Sequence, residues 1–468
     1  RVLPDVLGNL TFLFLLVYAV TAGRRLLAGG PVVQQVLWFG EPVHILLGLD
    51  GLALFMLAAV ALVSLGAGLF SVDYMEHIGA KANFYALFLI MVAGMNGLVL
   101  ATDLFQVYLF LEVAAVASYA LVAFGLGYDE LEASFKYLML SVVASAFILI
   151  SVVVLFGLTG SLGFEAVGRA LQTLQPGLPA VLCAALFIAG FGLKAALIPF
   201  HAWLPDAHPS APAPISAMLS GLLIKVSGIY ALTRILFGVF GLSPLLSNIL
   251  MGLGILSLVV AALLALGQTD IKRMLAYSSI SQVGYIVLGI GLGTPLGILG
   301  GLFHLLNHAV AKGLLFLSAG SIQTATGTRN LDEMGGLAKR MPFTAATNLV
   351  GSLSIAGVPP LGGFWSKLII IVALVQAGRW PYAVIAVLAS VLTLWYYLVI
   401  QRKAFFGKLE ARWAAVREAP FWMTAATVGL ALLCIALGLF FAGVLRAWIQ
   451  PAADALAVSA SAMLSWGR

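Results

Sequence analysis

The sequence predicts an all-α polytopic membrane protein. Of its 468 residues, 62% are hydrophobic and only 9% are charged, against roughly 25% charged residues in an ordinary soluble domain. The apolar segments are continuous rather than alternating, and many reach the roughly 20 residues that a helix needs to cross a bilayer. Because a backbone in lipid must satisfy its own hydrogen bonds, we expect these segments to be helices.

About thirteen spans can be counted, joined by loops too short to be soluble domains. Their approximate bounds are 6–23, 44–71, 83–101, 104–126, 136–157, 180–198, 213–237, 246–267, 273–293, 298–322, 343–376, 382–403 and 421–448.

Basic residues in the loops predict the orientation of these spans, because cytoplasmic loops carry the excess of Lys and Arg. One side holds Arg1, Lys81, Lys136, Lys272, Arg273, Arg329, Lys339, Arg340, Arg402, Lys403, Lys408, Arg412 and Arg417. The other side holds only Arg24, Arg25, Arg169, Arg379, Arg446 and Arg468. This distribution places residue 1 in the cytoplasm. Since the chain starts there without Met, we expect one preceding span and fourteen in all.

Several classes of function are excluded by composition. Both cysteines, Cys183 and Cys434, lie in apolar segments without CxxC spacing, so an iron–sulfur cluster or attached haem is not expected. No Walker motif or nucleotide fingerprint is present. The net charge of +6 comes mainly from basic loops and indicates topology rather than nucleic-acid binding. We therefore expect no cofactor, no metal and no nucleic-acid partner.

Charged residues inside the predicted spans are the strongest functional signal. Four of the ten lysines lie there, namely Lys194, Lys225, Lys312 and Lys367. Each costs about 2.5–3.5 kcal/mol at a helix centre on insertion scales, or on the order of 10 kcal/mol together. Glu112 is the one acid clearly inside a span. Such a cost favours a functional role for these groups.

Two spans are interrupted by proline next to a lysine. In "GFGLKAALIPFHAWLPDAHPSAPAP", Lys194 precedes Pro199, and in "AGVPPLGGFWSKLII", Pro359 and Pro360 precede Lys367. Proline breaks a helix, and a break at membrane depth is tolerated only where the backbone lies in protein or faces water. Paired breaks indicate an internal repeat with an ion site at each. The alternative is a pair of structural kinks with snorkelling lysines.

Lys225 follows Lys194 by thirty-one residues, so antiparallel helices would bring both ammonium groups to one depth. Glu112 is the natural counter-charge for Lys194. Pairing would hold the lysine charged, and loosening the pair would release its proton to Lys225. The alternative is a static buried ion pair.

A second titratable group occupies one helix face in "GLFHLLNHAVAKGLLFL". His304, His308 and Lys312 stand at i, i+4 and i+8, along one stripe. Histidine titrates near neutral pH, which favours a proton relay. Polar packing is the alternative, and a metal site is disfavoured because two histidines alone complete no usual ligand set.

Other polar residues near the first break have open roles. His201 and His208 could gate that break or merely cap it, and Asp206 lies between them without an assigned role. A group of hydroxyls after "DIKR" could line a wet path or bond neighbouring helices. Its members are Tyr277, Ser278, Ser279, Ser281 and Tyr285.

These stretches resemble the proton-conducting antiporter family, which includes Mrp-type cation/proton antiporters and the antiporter-like subunits of respiratory complex I and membrane-bound hydrogenases. The motifs are "LKAALIPFHAWLPDAHPSAPAPISAMLSGLLIKV", "DIKRMLAYSSISQVGYIVLGIG", "GLFHLLNHAVAKGLLFLSAG" and "GVPPLGGFWSK". The resemblance implies fourteen helices and two inverted five-helix repeats, with the seventh and twelfth helices broken. It divides the chain into N-terminal helices (1–102, first helix missing), repeats at 103–240 and 246–403, and a C-terminal part (404–468).

The resemblance also implies roles for single residues in proton transfer. The matching positions are Glu112, Lys194, Lys225, His304, His308, Lys312 and Lys367. Some relatives have glutamate at the last position, and lysine favours the D-like or N-like types. The implied setting is the cell or inner membrane, with other membrane subunits, lipid, protons and possibly sodium or potassium ions as partners.

The resemblance is in particular to the D-type component of Mrp antiporters, with N-type subunits of complex I and hydrogenase homologues near to it, and it predicts a proton-translocating subunit of a multisubunit complex. The first alternative is a proton-pumping subunit of a redox-driven complex, such as a NADH:quinone oxidoreductase or a membrane-bound hydrogenase. Whether the chain counts as part of an enzyme depends on that choice. A membrane scaffold without transport is the second alternative, and an organic-solute transporter is disfavoured because few amides are available to bind a substrate.

Overall fold

The computed structural model describes residues 2–38, 44–76, 78–174 and 177–456, which form helices, the loops that connect them and one two-stranded hairpin. Eleven helices among them are long and apolar enough to cross a membrane. Two shorter apolar helices, Leu178–Lys194 and Gly362–Gln376, adjoin the two proline breaks. The prediction of an all-α polytopic membrane protein is confirmed.

The elements follow one another in a simple up-and-down order. They are α1 (Val2–Gly29), β1 (Val32–Trp38), β2 (His44–Leu49), α2 (Gly51–Tyr74), α3 (Lys81–Leu100), α4 (Leu104–Val122), α5 (Tyr128–Thr159), α6 (Phe164–Leu174), α7 (Leu178–Lys194), α8 (Leu204–Ser210), α9 (Ala213–Phe240), α10 (Pro244–Leu266), α11 (Ile271–Gly291), α12 (Pro295–Thr326), α13 (Pro342–Ala356), α14 (Gly362–Gln376), α15 (Trp380–Phe405), α16 (Phe421–Leu439) and α17 (441–456).

The hairpin corrects one expected span, since the segment predicted to begin at residue 44 becomes helical only at Gly51. Strands β1 and β2 pair antiparallel from Val32 opposite Leu49, with an irregularity after Gln35. Asp50 then caps α2, because its carboxylate accepts a hydrogen bond from the Ala53 amide at 2.8 Å. The short apolar run before Asp50 is thus a strand outside the helix.

Helix α6 was not among the predicted spans. Val167 and Leu171 are buried on one face, whereas Glu165 and Arg169 are exposed and pair at 3.5 Å on the other. An eleven-residue helix of this kind is too short to cross a bilayer and its two-faced pattern suits a surface position. It packs against the end of α9.

The first break comprises residues 195–203 between α7 and α8. Ala196 adopts a left-handed conformation with φ of 54°, and the backbone then turns through Pro199. Protein groups satisfy the exposed backbone: Ile198 donates to the hydroxyl of Ser257 at 3.0 Å, and the indole of Trp203 donates to a carbonyl of α7 at 3.0 Å. The interrupted helix is therefore enclosed by protein, as membrane depth requires.

The second break, residues 357–361, separates α13 from α14. Gly357 has φ of 86°, a left-handed conformation that favours glycine. At Gly363 a Cβ atom would lie 1.8 Å from the carbonyl oxygen of Ser354, so the two half-helices approach to a distance that only glycine permits. Lys194 ends the helix before the first break, whereas Lys367 lies one turn into the helix after the second.

Several loops that the sequence assigns to the side with more Lys and Arg residues lie close together, and we call this side of the protein the basic side. Asp206 in α8 bonds Arg273 at 2.8 Å and Lys136 at 3.3 Å, so α8 lies on the basic side. Arg329 pairs with Asp270 at 3.1 Å there. The chain therefore runs towards the basic side through the first break and away from it through the second. Opposite directions accord with inverted repeats, whose boundaries at 103–240 and 246–403 remain a prediction.

Candidate functional site: a buried line of titratable groups

Glu112 and Lys194 lie together at the first break. Glu112 Oε1 is 3.6 Å from Lys194 Nζ, and the lysine is only 4% exposed. Two serines one helical turn apart on α5 complete the cluster: Ser145 donates a hydrogen bond to the carboxylate, and Lys194 donates one to the Ser141 hydroxyl. We call these four residues the Glu–Lys cluster.

Three helices position the Glu–Lys cluster. Helix α4 carries Glu112, α5 carries the serines, and α7 ends at the lysine. Below the cluster, Trp203 of the first break stacks on Tyr137 of α5 with ring centroids 4.2 Å apart. Because the Trp203 indole also donates to the Leu193 carbonyl, this stack holds the backbone at the end of α7 against α5.

Lys225 lies in a widened part of α9. It begins the π-helical stretch Lys225–Tyr230, which follows a first such stretch at Leu219–Leu223. Its ammonium group is fully buried and donates to the carbonyl of Ser220, whose hydroxyl bonds that of Ser279 on α11 at 2.6 Å. Single wide turns of this kind are frequent at functional sites.

The stripe on α12 is fully buried along its length. His304 Nδ1 lies 2.9 Å from the Ser366 hydroxyl on α14, and its ring centroid is 6.3 Å from that of His308. Neither nitrogen of His308 has a hydrogen-bond partner within the described residues. Lys312 donates to the Leu275 carbonyl at 2.9 Å and to the Ser278 hydroxyl at 2.8 Å.

Lys367 lies at the other end of the stripe. Its Nζ atom is 3.4 Å from the Ala356 carbonyl oxygen and 4.7 Å from the ring centroid of Tyr285. The phenol of Tyr285 is 5.4 Å, ring to ring, from His304 and bonds the Ser390 hydroxyl at 2.7 Å. The second break thus brings its lysine next to the first histidine of the stripe.

The hydroxyl-bearing side chains on α11 make two kinds of contact, and the wet path considered for them remains a prediction. Ser281 bonds a carbonyl of α10 at 2.9 Å, a helix–helix contact. Ser278, by contrast, joins Lys312 to Tyr397 at 2.8 Å and Tyr396 at 3.2 Å on α15. Through Ser278, two tyrosines of α15 are thus joined to the buried line. This name covers Glu112, Lys194, Lys225, His304, His308, Lys312 and Lys367.

Sequence reasoning missed two buried lysines by assigning them to loops. Lys81 is 8% exposed and pairs with Asp5 at 2.8 Å and Glu76 at 2.6 Å. Lys272 is 1% exposed and donates to the Ala211 carbonyl at 3.1 Å. One signal for Lys272 was available in the sequence. Asp270, two residues earlier, caps α11, so Lys272 lies in the first turn of the helix and not in the preceding loop.

Buried amides were also missed. Asn348 on α13 donates to Ser318 at 3.0 Å, and Gln401 on α15 donates to Asn348 at 2.7 Å and to Ser352 at 3.1 Å. All four side chains are at most 3% exposed. No pattern in the sequence distinguished these amides from polar residues in loops.

Asp206 and Arg234 have structural partners. Asp206 forms the pairs with Arg273 and Lys136 described above. Arg234 holds Asp50 through two hydrogen bonds, one of 2.6 Å, and so ties α9 to the start of α2. The two carboxylates, Asp206 and Asp50, therefore bind cationic side chains at the ends of helices, outside the buried line.

Metal-binding geometry is not found among residues 2–38, 44–76, 78–174 and 177–456, where no three His, Cys, Asp or Glu side chains cluster suitably. Cys183 and Cys434 are buried free thiols.

Known proteins are similar to this chain in both sequence and fold. The family described as NADH:quinone oxidoreductase/Mrp antiporter, TM, matches residues 101–393. The chain is 37% identical to the N-type subunit of the NADH-quinone oxidoreductase of Desulforudis audaxviator, over 84% of this chain and 79% of that protein. It is 32% identical to the D-type subunit of the Na(+)/H(+) antiporter of Alkalihalophilus pseudofirmus, over 87% of this chain and 82% of that protein.

A solved structure extends the likeness to almost the whole fold. A chain in the Mrp complex from Dietzia sp. superposes with a TM-score of 0.89 at 28% identity, covering 98% of this chain and 94% of that chain. The match of the transmembrane family to more than half the sequence, together with this superposition, identifies the chain as a multi-pass member of the NADH:quinone oxidoreductase/Mrp antiporter family.

Proposed function

We propose that this chain is a proton-translocating membrane subunit of a multisubunit cation/proton antiporter of the Mrp type. The observation that carries the proposal is the Glu–Lys cluster, in which a buried ammonium group has one carboxylate at 3.6 Å and one serine hydroxyl as its partners. A buried charge kept at such cost is a functional site by default. Loosening the carboxylate from the lysine changes how tightly that lysine holds its proton.

The three other lysines predicted to lie inside spans support the proposal, because their hydrogen-bond partners are uncharged. Lys225, Lys312 and Lys367 donate to carbonyl and hydroxyl oxygens. Without a carboxylate to fix their charge, each can exist with or without its proton. Protonation of one then opposes protonation of the next, which couples the sites electrostatically.

In the proposed route, protons pass from the Glu–Lys cluster to Lys225, then along Lys312, His308 and His304 on α12, and reach Lys367 at the second break. Each proton leaves one group as it joins the next. Polar backbone at the two breaks would allow water to complete the links. The cation exchanged would be sodium or potassium.

A redox-driven complex is the second candidate. The identity of 37% with a NADH-quinone oxidoreductase subunit exceeds the 32% with an antiporter subunit, and the proton route would be the same in either setting. Purification from native membranes separates the candidates. Small antiporter subunits alone would favour the first, and co-purifying iron–sulfur proteins would favour the second.

Transport by the assembled complex in membrane vesicles, followed with a pH-sensitive dye, tests the proton route. We expect Lys194→Ala and Glu112→Ala each to abolish dye quenching while subunit assembly stays normal. Lys408→Ala, in an exposed loop, is the control and should transport like the wild type. Wild-type quenching in both cluster variants would reject the route and favour a scaffold.

A further inference from the structure

His208 is a buried histidine that the proposed route does not use. It lies in α8, is 0% exposed, and its ring stacks on Phe316 of α12 with centroids 4.5 Å apart at 23°. Throughout the described part of the chain, neither ring nitrogen finds a hydrogen-bond partner. Leaving two buried polar atoms unpaired is costly, so packing alone gives a poor account of an imidazole here.

The charges of three lysines, each on a different helix, act on this ring. They are Lys312 on α12, Lys272 on α11 and Lys225 on α9. Phe316 also faces Lys312, whose ammonium lies 5.9 Å from the phenyl centroid. Protonation of His208 and protonation of any of these lysines therefore oppose each other.

The neighbouring segment places His208 between the basic side and the buried line. Asp206, two residues before it, pairs with Arg273 on the basic side. Lys272 reaches the carbonyl of Ala211, three residues after it. Lys312 lies one turn before Phe316 on the stripe. Lys272 precedes Arg273 in the first turn of α11 at the basic side, and Lys312 belongs to the proposed proton route.

We propose that His208 transfers protons between the basic side and the buried line, with Lys272 as its outer partner and Lys312 as its inner one. In each transfer one ring nitrogen takes a proton from the Lys272 ammonium, and the other releases its proton to a neutral Lys312 amine. The imidazole returns to the neutral form in its other tautomer, and Lys272 regains a proton from the aqueous phase. The inference rests on the proposed proton route and adds a branch to it.

His201 serves as the comparison within the same break. It is only partly buried, and its ring lies 6.3 Å from Tyr277 rather than against the lysines. Its partial exposure and its tyrosine neighbour distinguish it from the fully buried His208. The branch is thus assigned to His208 alone.

Two substitutions separate proton transfer from packing. His208→Phe keeps an aromatic ring for the stack with Phe316 but cannot carry a proton, and His208→Gln keeps polarity without titration. Removal of a general acid–base group usually slows transfer by about 10²–10⁴-fold, so we expect both variants to lose at least about tenfold in initial proton flux. His201→Phe should stay within about twofold.

Flux is measured in vesicles carrying the full complex, with subunit assembly checked by co-purification. Wild-type flux in assembled His208→Phe would overturn the branch and leave the stack as the role of this residue. If the phenylalanine variant does not assemble, the same criterion applies to His208→Gln. The underlying route is judged separately: retained flux in Lys194→Ala rejects it, whereas lost flux there with normal flux in the His208 variants rejects only the branch.

Discussion

Glu112 Oε1 and Lys194 Nζ are separated by 3.6 Å, and each of these charged groups is also bound to its own serine on α5. The separation exceeds that of a close charge-assisted hydrogen bond, which is about 2.7–2.9 Å. The serines can therefore hold the carboxylate and the ammonium in place while the direct bond between them opens or closes. This arrangement suits a pair whose coupling must change during a cycle.

The serines should accordingly be needed for transport. Ser141→Ala leaves the lysine without its hydroxyl acceptor, and Ser145→Ala removes the donor to the carboxylate. A hydrogen bond to a charged group contributes about 1.5–3 kcal/mol, so we expect each variant to slow proton flux about tenfold or more. Ser151→Ala, a buried serine on the same helix that bonds only backbone carbonyls, is the matched control. Equal flux in all three variants would contradict this role.

Tyr285 should support Lys367 through its ring rather than its hydroxyl. The ammonium lies 4.7 Å from the ring centroid, while the phenol bonds Ser390. A desolvated cation–π contact is worth about 2 kcal/mol. Tyr285→Phe should therefore keep most of the proton flux, and Tyr285→Leu should lower it about tenfold, as measured in vesicles. A larger loss in the phenylalanine variant would instead assign the effect to the hydroxyl.

Asp50 should stabilise the fold above pH 4. Burial favours its neutral acid, but the ion pair with Arg234 and the amides of Ala53 and Leu52 outweigh burial and lower the pKa of Asp50 below its ordinary 3.8. Since the folded pKa is depressed, this stabilisation is complete well above the unfolded value of about 3.9 and is lost as the pH falls through the folded pKa.

Asp50→Asn tests this expectation, because asparagine keeps the helix cap but removes the charge. Its free energy of unfolding should fall by about 2 kcal/mol at pH 7, seen as a lower Tm of the purified complex by tryptophan fluorescence. The difference from wild type should shrink only below about pH 4. Glu165→Gln, which alters an exposed pair, should leave Tm unchanged. A Tm difference that is constant down to pH 3 would contradict the ionic origin.

Gly363 should be indispensable at the second break. A Cβ there would lie 1.8 Å from a backbone carbonyl oxygen, which cannot move without separating α13 from α14. Gly363→Ala should therefore prevent assembly, judged by size-exclusion chromatography in detergent. Gly252→Ala on α10, where nothing lies within 4 Å of an added Cβ, should be neutral or raise stability by about 0.5–1 kcal/mol. Normal assembly of Gly363→Ala would show that the two half-helices can part.

The sequence was sufficient for features that depend on long local patterns. Continuous apolar segments predicted the helices, and Pro199 and Pro360 marked both breaks, because helix length and proline geometry are local properties. The closeness of Glu112 and Lys194 followed from their rarity inside spans. The roles of these and the other buried residues remain proposals.

Features that depend on packing could not be read from the chain. Lys272 looked like a loop residue because its burial comes from α8 folding over the end of α11. The hairpin before Asp50 looked like the start of a span, since a short apolar run has the same composition in a strand and a helix. The free nitrogens of His208 could be found only from its surroundings, because any polar neighbour would have paired them.

Helix α8 and the residue that follows it are held by three cations from the second predicted repeat. Lys272 and Arg329 donate to carbonyls of Ala211 and Pro209, and Arg273 binds Asp206. At about 1.5–3 kcal/mol each, three such bonds place a detached α8 on the order of 5 kcal/mol higher, a conformation populated by roughly one molecule in several thousand. The first break is therefore closed on the basic side by a helix that is anchored to the second predicted repeat, so a change of shape there would more readily involve side chains than the whole of α8.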